Sequence, residues 1–318
     1  MNILVSDKMA DEAIQLLKDA GHSVTYDEMD HNTLLAEIGK YDGLMVRSRT
    51  KATEEIVVAG AEGNLKVIGR AGIGVDNIDI KKAGELGIKV VNAPTGATIS
   101  VAELAIGHML SLSRFLTRAD KTMKNGEWIK KQLKGSELYG KTLGLIGCGN
   151  IGQKTAEYAR AFGMTVIGYD PFLTSEQLNK CHITKKDELS DVMKEADYIS
   201  LHIPHIEQTH HIINKDMIGL MKKTAFLINC ARGGTVDEDA LYDALKNNMI
   251  AGAALDVFES EPPKDTALAG LDNISMTPHI GANTKEGQIR AGTVAAEQVL
   301  KVLNGQDPDH WVNKKMMK

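Results

Sequence analysis

Residues 143–153, with the sequence LGLIGCGNIGQ, constrain the fold of this chain more than any other segment. The glycines Gly147, Gly149 and Gly152 have G-x-G-x-x-G spacing, directly after an apolar run and at the head of a helical pattern. In a βαβ unit the first glycine permits a tight turn, the second lets backbone amides approach a pyrophosphate, and the third lets the helix pack on the strand. This context predicts a dinucleotide-binding turn.

An acid follows this turn where such sites select their cofactor. The segment MTVIGYD has the pattern of a strand and ends at Asp170. A carboxylate at that position hydrogen-bonds the adenosine ribose 2′-hydroxyl and repels a 2′-phosphate. The next residues, DPFLTSEQ, contain no arginine that would accept the phosphate. We therefore expect NAD rather than NADP.

A second glycine run, GIGVDN, occupies residues 72–77. It does not predict a second dinucleotide site, because Asn77 stands where the third glycine would be. The backbone amides of such a loop can hold an anion instead. Gly72, Ile73 and Gly74 are therefore candidate substrate-binding residues.

Strand-like and helix-like segments alternate along the chain, a pattern that indicates βαβ units and parallel sheets. Up to about residue 98 the expected strands are NILVS, HSVTY, YDGLMV, LKVIG and IKVVN. From residue 141 the expected strands are KTLGLIG, MTVIGYD, YISLH, TAFLIN, IAGAALD and NISMT. Six parallel strands with helices between them describe a doubly wound nucleotide-binding domain of the Rossmann type.

Two long helices are predicted between and after these series. In SVAELAIGHMLSLSR, Ser100 and Glu103 have the spacing of a capping box. In TKEGQIRAGTVAAEQVLKVLNG, Asn304 and Gly305 close the last helix of the chain. We expect this helix to return to the first domain.

The chain has 318 residues, more than one hydrophobic core usually organises. We expect residues 1–98 and 285–318 to form a substrate domain. Residues 99–284 would form the NAD-binding domain, inserted into the first.

The composition excludes several classes of protein. With 43% hydrophobic residues, 25% charged residues and a net charge of -5, the chain has no basic surplus for nucleic acid. Cys148, Cys181 and Cys230 are an odd number without a CxxC motif, which favours a reducing compartment. We find neither a signal peptide nor an apolar run of the roughly 20 residues that span a bilayer. The expected location is the cytoplasm, with no membrane partner.

Three late strands of the second domain lead into residues that carry chemistry. TAFLIN leads to Arg232, and IAGAALD leads through Asp256 to Glu261. NISMT leads to His279. Because ligands of open α/β sheets bind at the carboxyl ends of the strands, we expect these side chains to converge.

Each of these residues suits one part of a reaction on a small acid. Arg232 presents a planar fork to a carboxylate, and Gly233 and Gly234 would let backbone and ligand approach closely. An unperturbed imidazole has a pKa of about 6.5, so His279 can exchange a proton near neutrality. Glu261 would hold the histidine tautomer.

Asp256, at its strand tip, is expected to bind the nicotinamide amide. Taken singly, an arginine, glutamate or histidine at a strand end has ordinary structural explanations, such as a surface ion pair. Their joint occurrence downstream of a dinucleotide turn favours an active site.

Two other groups of reactive side chains have weaker patterns. Imidazole is a frequent metal ligand, and four histidines crowd one segment, namely His202, His205, His210 and His211. No cysteine or acid stands near them at zinc-motif spacing, so no metal is expected. Cys230 lies beside Arg232, but no basic residue is placed to activate it, and we expect a buried thiol.

Longer motifs show that the chain resembles the D-2-hydroxyacid dehydrogenase family. They include VIGRAGIGVDNID, VVNAPTGATISVAELAIG, INCARGGTVDEDAL, AGAALDVFESEPP and TPHIGANTKE, and the likeness covers nearly the whole chain. The resemblance implies an α/β fold with two doubly wound parallel-sheet domains, a Rossmann NAD-binding domain inserted in a flavodoxin-like substrate domain. The most similar members are those that oxidise 3-phospho-D-glycerate to 3-phosphohydroxypyruvate with NAD, the entry to serine biosynthesis.

The resemblance also assigns roles to individual residues. Arg232, Glu261 and His279 match the family's catalytic residues. The positions that match its cofactor contacts are Asn150, Ile151, Asp170, Cys230, Asp256 and Gly281. Ile203 stands in LHIP where relatives often have threonine, so only backbone contact with the cofactor is expected there.

A phosphorylated substrate requires further cations, and the substrate would sit in a cleft between the domains. Arg47 and Ser48 are the first candidates, and further candidates are Arg49, Lys51, Arg70 and Lys130. Family members of this kind are usually homodimers joined through nucleotide-domain helices. Longer relatives carry regulatory domains that sense serine, whereas this sequence stops at residue 318, so that regulation is not expected here.

Two other functions stay open. One is an NADH-dependent reductase of an unphosphorylated 2-keto acid such as hydroxypyruvate, glyoxylate or pyruvate. The other is an NAD-sensing scaffold similar to transcriptional corepressors. Relative kcat/KM with and without the substrate phosphate would distinguish the first, and tight NADH binding without turnover would identify the second.

Overall fold

The computed structural model describes residues 1–317, which divide into two compact units. The first unit combines Met1–Thr98 with the segment from Ala282 onward, and the second is continuous from Ile99 to Gly281. The structure thus places the second crossing at residue 281, three positions before the expected residue 284.

The first unit begins with alternating strands and helices, as the apolar runs predicted. Its strands are β1 Asn2–Val5, β2 Ser23–Tyr26, β3 Gly43–Val46, β4 Val67–Arg70 and β5 Lys89–Asn92. The helices between them are α1 Asp11–Asp19, α2 His31–Glu37, α3 Glu54–Glu62 and α4 Ile80–Glu85. Gly21, with φ +82, lies just past α1, where the chain must turn back toward β2.

The five strands form one parallel sheet in the order β2-β1-β3-β4-β5. This order is that of flavodoxin-like sheets. β3 and β4 lie side by side, with Val46 paired to Arg70. The loops that follow these two strands therefore leave the sheet next to each other.

The second unit continues the alternation with a larger sheet. Its strands are β6 Thr142–Ile146, β7 Thr165–Tyr169, β8 Thr184–Lys186, β9 Tyr198–Leu201, β10 Phe226–Asn229, β11 Gly252–Leu255 and β12 Ile274–Met276. The helices are α5 Thr98–Arg114, α6 Leu116–Lys124, α7 Asn150–Ala161, α8 Ser175–Lys180, α9 Leu189–Glu195, α10 Lys215–Gly219 and α11 Glu238–Lys246. Every strand pair in both sheets is parallel.

The order β12-β11-β10-β9-β6-β7-β8 is that of a doubly wound dinucleotide-binding sheet with one added strand. The prediction of six strands was wrong by one, because β8 was missed. Its three residues, TKK, are polar and pair only with β7 at the edge of the sheet. An edge strand needs no apolar run, so periodicity gave no signal for it.

The predicted capping box at Ser100 was also wrong. α5 begins at Thr98, which places Ser100 inside the helix, and its side chain is buried. A serine inside a helix cannot cap the helix start. The predicted long helix itself is confirmed, and Val101, Ala105 and Met109 are buried along one of its faces.

The last helix, α12 Lys285–Leu303, belongs to the first unit. The Thr284 hydroxyl accepts the Gly287 amide at its start, and Gly305, with φ +76, follows its end as predicted. The apolar face of α12 joins the core formed by β1, β3, β4 and β5, through Ala291, Ala295, Ala296, Val299 and Leu303. The first unit is therefore completed by residues almost 200 positions away in the sequence.

Within residues 1–317, no single helix has both the length and the apolar character of a membrane span. α5 and α6 have the length and apolar character of a membrane span only when taken together, and the chain bends by 63° between them.

Candidate active site

Three adjacent strands bring the predicted catalytic residues to one edge of the second sheet. β11 pairs with β10 on one side and with β12 on the other, so that Leu255 lies level with Asn229 and with Met276. Neighbouring strands are about 4.8 Å apart. The loops that carry Arg232, Glu261 and His279 therefore start from a common edge.

The structure pairs two of these residues directly. His279 Nδ1 lies 2.7 Å from Glu261 Oε2, and both side chains are partly exposed, at 49% and 37%. The other carboxylate oxygen, Oε1, accepts the Phe258 amide at 3.2 Å. With the carboxylate bound at Nδ1, the imidazole presents Nε2 to a ligand.

The backbone of His279 is held by the buried residue Asp256. Its φ is +51, a conformation that is uncommon for a residue with a side chain, and its amide donates to the Asp256 carbonyl at 2.8 Å. The Asp256 carboxylate, which is 1% exposed, accepts the amides of Ile280 and Gly281 at 2.8 Å each. Asp256 thus orders the loop that carries His279, and its expected contact with nicotinamide stays a prediction.

A second histidine supports this loop from within α5. His108 is buried, with Nε2 3.2 Å from the Thr277 hydroxyl, which in turn donates to Asp256 at 2.6 Å. Burial lowers the pKa of His108 despite the neighbouring Asp256 charge. The sequence interpretation missed His108, because a histidine in the apolar stripe of a helix usually has only a packing role.

The turn that carries Arg232 is shaped by the side chain of Asn229, the last residue of β10. Asn229 Nδ2 donates to the Arg232 carbonyl at 2.9 Å, and its Oδ1 accepts the Ala231 amide at 3.0 Å. The guanidinium itself donates to the Ala231 carbonyl at 2.7 Å. These bonds turn the chain sharply at the strand end, where the arginine is only partly exposed.

The two glycines after Arg232 lie close to other parts of the protein, and their expected role toward a ligand stays a prediction. A Cβ on Gly233 would lie 1.8 Å from the Phe258 carbonyl oxygen, and one on Gly234, whose φ is +73, would lie 2.8 Å from the His205 ring. Their absence of side chains lets the Arg232 turn pack against the loop that carries Glu261.

The dinucleotide turn has the geometry that its glycines predicted. Gly147 has φ +89, and a Cβ there would meet the His202 carbonyl at 2.5 Å. A Cβ on Gly152 would lie 2.4 Å from the Gly147 carbonyl oxygen, so only glycine lets α7 approach the turn. The Ile203 side chain lies beside Gly147. Around Gly149, in contrast, nothing lies within 4 Å of a Cβ position.

Asp170 follows β7 next to this turn. Its Oδ2 accepts the Cys148 amide and its Oδ1 accepts the Phe172 amide, each at 2.9 Å. α7 starts at Asn150 and Ile151, so the first-turn amides of a helix lie beside the open face of Gly149. An open glycine, helix amides and a fixed carboxylate together fit the pyrophosphate and ribose of a dinucleotide.

The cysteines near this site are not nucleophiles. Cys148 and Cys230 are both buried, and burial raises the pKa of Cys148 to about 12. Burial also raises the pKa of Cys230, with a smaller contribution from Asp256. Neither thiol ionises near neutral pH, as expected for Cys230 from the sequence.

The histidine-rich segment packs against the Arg232 turn. The His211 amide donates to the Gly234 carbonyl at 2.8 Å, and its ring lies 2.8 Å from Glu259 Oε1. His205 Nε2 is 3.1 Å from His210 Nδ1. Among residues 1–317, no group of three or more histidine, cysteine or acidic side chains is arranged to hold a metal ion.

The predicted substrate residues of the first unit lie in the two loops after β3 and β4. Arg47 and Ser48 follow β3, and Arg47 Nη1 donates to the Lys8 carbonyl at 3.1 Å. Gly72, Ile73 and Gly74 follow β4, and the Ile73 carbonyl accepts Asn92 Nδ2 at 2.6 Å.

The further cations predicted for a phosphate are distributed between the two units. Arg49 and Lys51 are exposed in the loop after β3, and Arg70 ends β4. Lys130 lies in a short 3-10 turn of the second unit, Lys130–Gln132. The structure therefore groups Arg47, Arg49 and Arg70 within one unit but not Lys130.

Comparison with known proteins defines the class of this chain. Residues 106–281 match the model of the D-isomer specific 2-hydroxyacid dehydrogenase, NAD binding domain. The chain belongs to the D-2-hydroxyacid dehydrogenase family, and its second unit contains the NAD-binding domain of that family.

Individual relatives are similar over nearly the whole chain. The chain is 49% identical over 313 residues to D-3-phosphoglycerate dehydrogenase of Methanocaldococcus jannaschii, which covers 98% of this chain and 59% of that relative. It is 48% identical over 303 residues to hydroxypyruvate reductase of Thermotoga maritima, and the match covers 94% of this chain and 97% of that relative. The solved structure of Aquifex aeolicus D-lactate dehydrogenase complexed with NAD and lactic acid matches with TM-score 0.83 at 32% identity, over 96% of both chains.

Proposed function

We propose that the chain oxidises 3-phospho-D-glycerate to 3-phosphohydroxypyruvate with NAD, the first step of serine biosynthesis. The observation that carries this proposal is the pair of His279 and Glu261, 2.7 Å apart at the same sheet edge as the dinucleotide turn. A carboxylate-oriented imidazole beside a nicotinamide site is suited to proton transfer during oxidation of an alcohol.

In this mechanism His279 accepts the hydroxyl proton of the substrate at Nε2. Glu261, bound at Nδ1, holds the required tautomer and stabilises the imidazolium that forms. Bound NAD supplies the acceptor for the hydride that leaves C2. Arg232 binds the substrate carboxylate and the developing carbonyl oxygen, which favours the planar 2-oxo product.

The phosphate of the substrate is assigned to the first unit. Arg47, Arg49 and Arg70 are grouped at the carboxyl ends of β3 and β4, beside the loop of Gly72, Ile73 and Gly74. Guanidinium groups and backbone amides are the donors that bind phosphate in proteins. Relatives named D-3-phosphoglycerate dehydrogenase, at 40–49% identity, support a phosphorylated substrate.

The test compares one acid with and without its phosphate. We expect kcat/KM for 3-phospho-D-glycerate to exceed that for D-glycerate by about 100-fold or more, because two or more charge-assisted hydrogen bonds of about 1.5–3 kcal/mol each would be lost. NADH formation is followed with both acids and with both NAD and NADP. Equal kcat/KM values for the two acids would contradict the proposed substrate.

A second candidate function is reduction of hydroxypyruvate with NADH. The hydroxypyruvate reductase of Thermotoga maritima is nearly as similar as the first relative, at 48% identity, and is matched over 97% of its length. This function predicts faster NADH consumption with hydroxypyruvate than with 3-phosphohydroxypyruvate. An NAD-sensing scaffold would bind NADH tightly and turn over neither compound.

We further propose that the protein is a cytoplasmic homodimer. The three cysteines are free, which suits a reducing compartment. Directly after α5, the helix α6 contains no buried residue, and Leu116, Met123 and Trp128 are exposed along this segment. A second copy of the chain would cover these apolar side chains.

A further inference from the structure

The loop after β3 is held from one side by a buried carboxylate. Asp7, which is 2% exposed, accepts the Arg47 amide at Oδ2, at 2.5 Å. Its Oδ1 accepts both the amide and the hydroxyl of Thr50, at 3.1 and 2.5 Å. Two backbone N–H groups three residues apart are thus bound by one side chain.

The same two residues are held from the other side by an amide. Asn77 Nδ2 donates to the Arg47 carbonyl at 2.8 Å and to the Thr50 carbonyl at 2.6 Å. Its Oδ1 accepts Nε of Arg70 at 3.1 Å. Arg47 and Thr50 are therefore fixed at N–H by Asp7 and at C=O by Asn77.

Between these fixed positions, Ser48 and Arg49 form an arch at the surface, where both are exposed. Arg49 Nε lies 3.3 Å from Asp7 Oδ1 and 3.7 Å from Glu28 Oε2, and its Nη groups donate to the Met29 and Ser6 carbonyls. Asp7 is therefore one of several groups that orient the Arg49 guanidinium. On the other loop, a Cβ on Gly72 would lie 2.1 Å from Arg70 Nη1, which shows that the Arg70 side chain lies along this loop.

We propose that Asp7 and Asn77 are positioning residues that hold the arch and Arg70 ready for the anionic substrate. This inference rests on the proposed function. Asp7 and Asn77 differ in the hydrogen bonds that they can make. An ionised carboxylate accepts N–H groups but donates none, whereas a carboxamide can donate to two carbonyls while it accepts from an arginine. Asn77 also joins the loop after β3, which contains Arg47 and Arg49, to Arg70 at the end of β4.

The first experiment replaces the donor and retains the acceptor. Asn77→Asp has the same shape and keeps an oxygen for Arg70, but it cannot donate to the Arg47 and Thr50 carbonyls. We expect KM for 3-phospho-D-glycerate to rise at least about tenfold, which corresponds to the loss of roughly one net hydrogen bond. KM for NAD should stay within about twofold, because the dinucleotide turn lies in the other unit.

Asn64→Asp is the matched control. Asn64 belongs to the same unit, and its Nδ2 also donates to a carbonyl, that of Gly39 at 3.1 Å, but away from both loops. This variant should leave both KM values unchanged. Equal increases in KM for acid and for NAD in Asn77→Asp would overturn the positioning role.

A second measurement does not depend on turnover. Hydrogen exchange of the amides of Arg47 and Thr50 should be faster in Asn77→Asp than in the wild type and in Asn64→Asp. If the wild type oxidises neither acid, the proposed function fails. Hydrogen exchange alone then tests whether Asp7 and Asn77 hold the loop after β3. Faster exchange confined to these loops supports it, and unchanged exchange overturns it.

Discussion

The position of His279 is restrained at both its backbone and its ring. Its left-handed backbone is bound through the amide to the Asp256 carbonyl, and its ring is bound through Nδ1 to Glu261. Backbone and side chain are thus restrained by different parts of the sheet edge. Such double restraint keeps Nε2 directed at one point, as general base catalysis requires.

Replacing this imidazole should affect chemistry and leave cofactor binding intact. We expect His279→Ala to lower kcat by about 10²–10⁴-fold, the usual contribution of a general base, with unchanged affinity for NADH measured by fluorescence titration. His182→Ala is the control, because His182 is an exposed histidine of the same unit with a similar φ of +55. Normal turnover in His279→Ala would rule out its role as the base.

The environment of His202 predicts that folding stability depends on pH. Burial lowers its pKa to about 4 from the usual 6.5. The unfolded chain therefore takes up a proton on this group at a higher pH than the folded chain. The free energy of unfolding is therefore not reduced by this group above about pH 6.5. It is expected to decrease as the pH falls toward 4, by up to about 3 kcal/mol.

Removing the His202 imidazole should abolish its contribution to the pH dependence of stability. In urea unfolding between pH 7 and 4.5, His202→Gln is expected to lose less stability than the wild type. His205→Gln, which changes an exposed histidine in the same segment, should show the wild-type slope. Parallel slopes for all three proteins would refute the assignment.

At the level of elements, the ends of β10 and β11 are joined by a contact between backbones. Gly233 lies so close to the Phe258 carbonyl that no side chain fits, and Phe258 in turn donates its amide to Glu261. The turn that carries Arg232 and the loop that carries Glu261, the proposed substrate-binding arginine and orienting acid, therefore pack together through one glycine.

Gly233→Ala should separate these two loops. A Cβ 1.8 Å from a carbonyl oxygen forces backbone movement, so we expect a loss of about 2–3 kcal/mol in stability together with a marked fall in kcat. Gly219→Ala is the control, since nothing lies within 4 Å of a Cβ there. It should be neutral or slightly stabilising. Wild-type kcat and stability in Gly233→Ala would show that the contact is unimportant.

The sequence predicted most strands and the dinucleotide turn, because both depend on residues close together in the chain. Apolar runs located eleven of the twelve strands, and the glycine spacing located the dinucleotide turn. β8 was missed because a polar edge strand has no hydrophobic signature. The contacts of Gly233 with Phe258, and of Asp256 with Gly281, join residues about 25 positions apart, and no periodicity encodes such pairs.

At the scale of the whole molecule, the exposed segment after α5 predicts self-association. Trp128 and Tyr139 are each 77% exposed, an unusual degree for large aromatic residues of one chain. We expect a dimer in analytical ultracentrifugation, and Trp128→Asp should shift it toward the monomer without loss of secondary structure. Phe172→Asp, which changes a single aromatic residue that is 91% exposed on another loop, should remain dimeric. A monomeric wild type would contradict the proposal.

The position of α12 in the chain has a consequence for biosynthesis. During translation, the strands of the first unit emerge from the ribosome long before the helix that covers one face of their sheet. Ile3, Met45, Val67 and Val91 remain without the α12 side chains of their core until residues beyond 290 are made. The uninterrupted second unit can mature in the meantime, so the nascent polypeptide should acquire NAD affinity before residues 1–98 resist proteolysis.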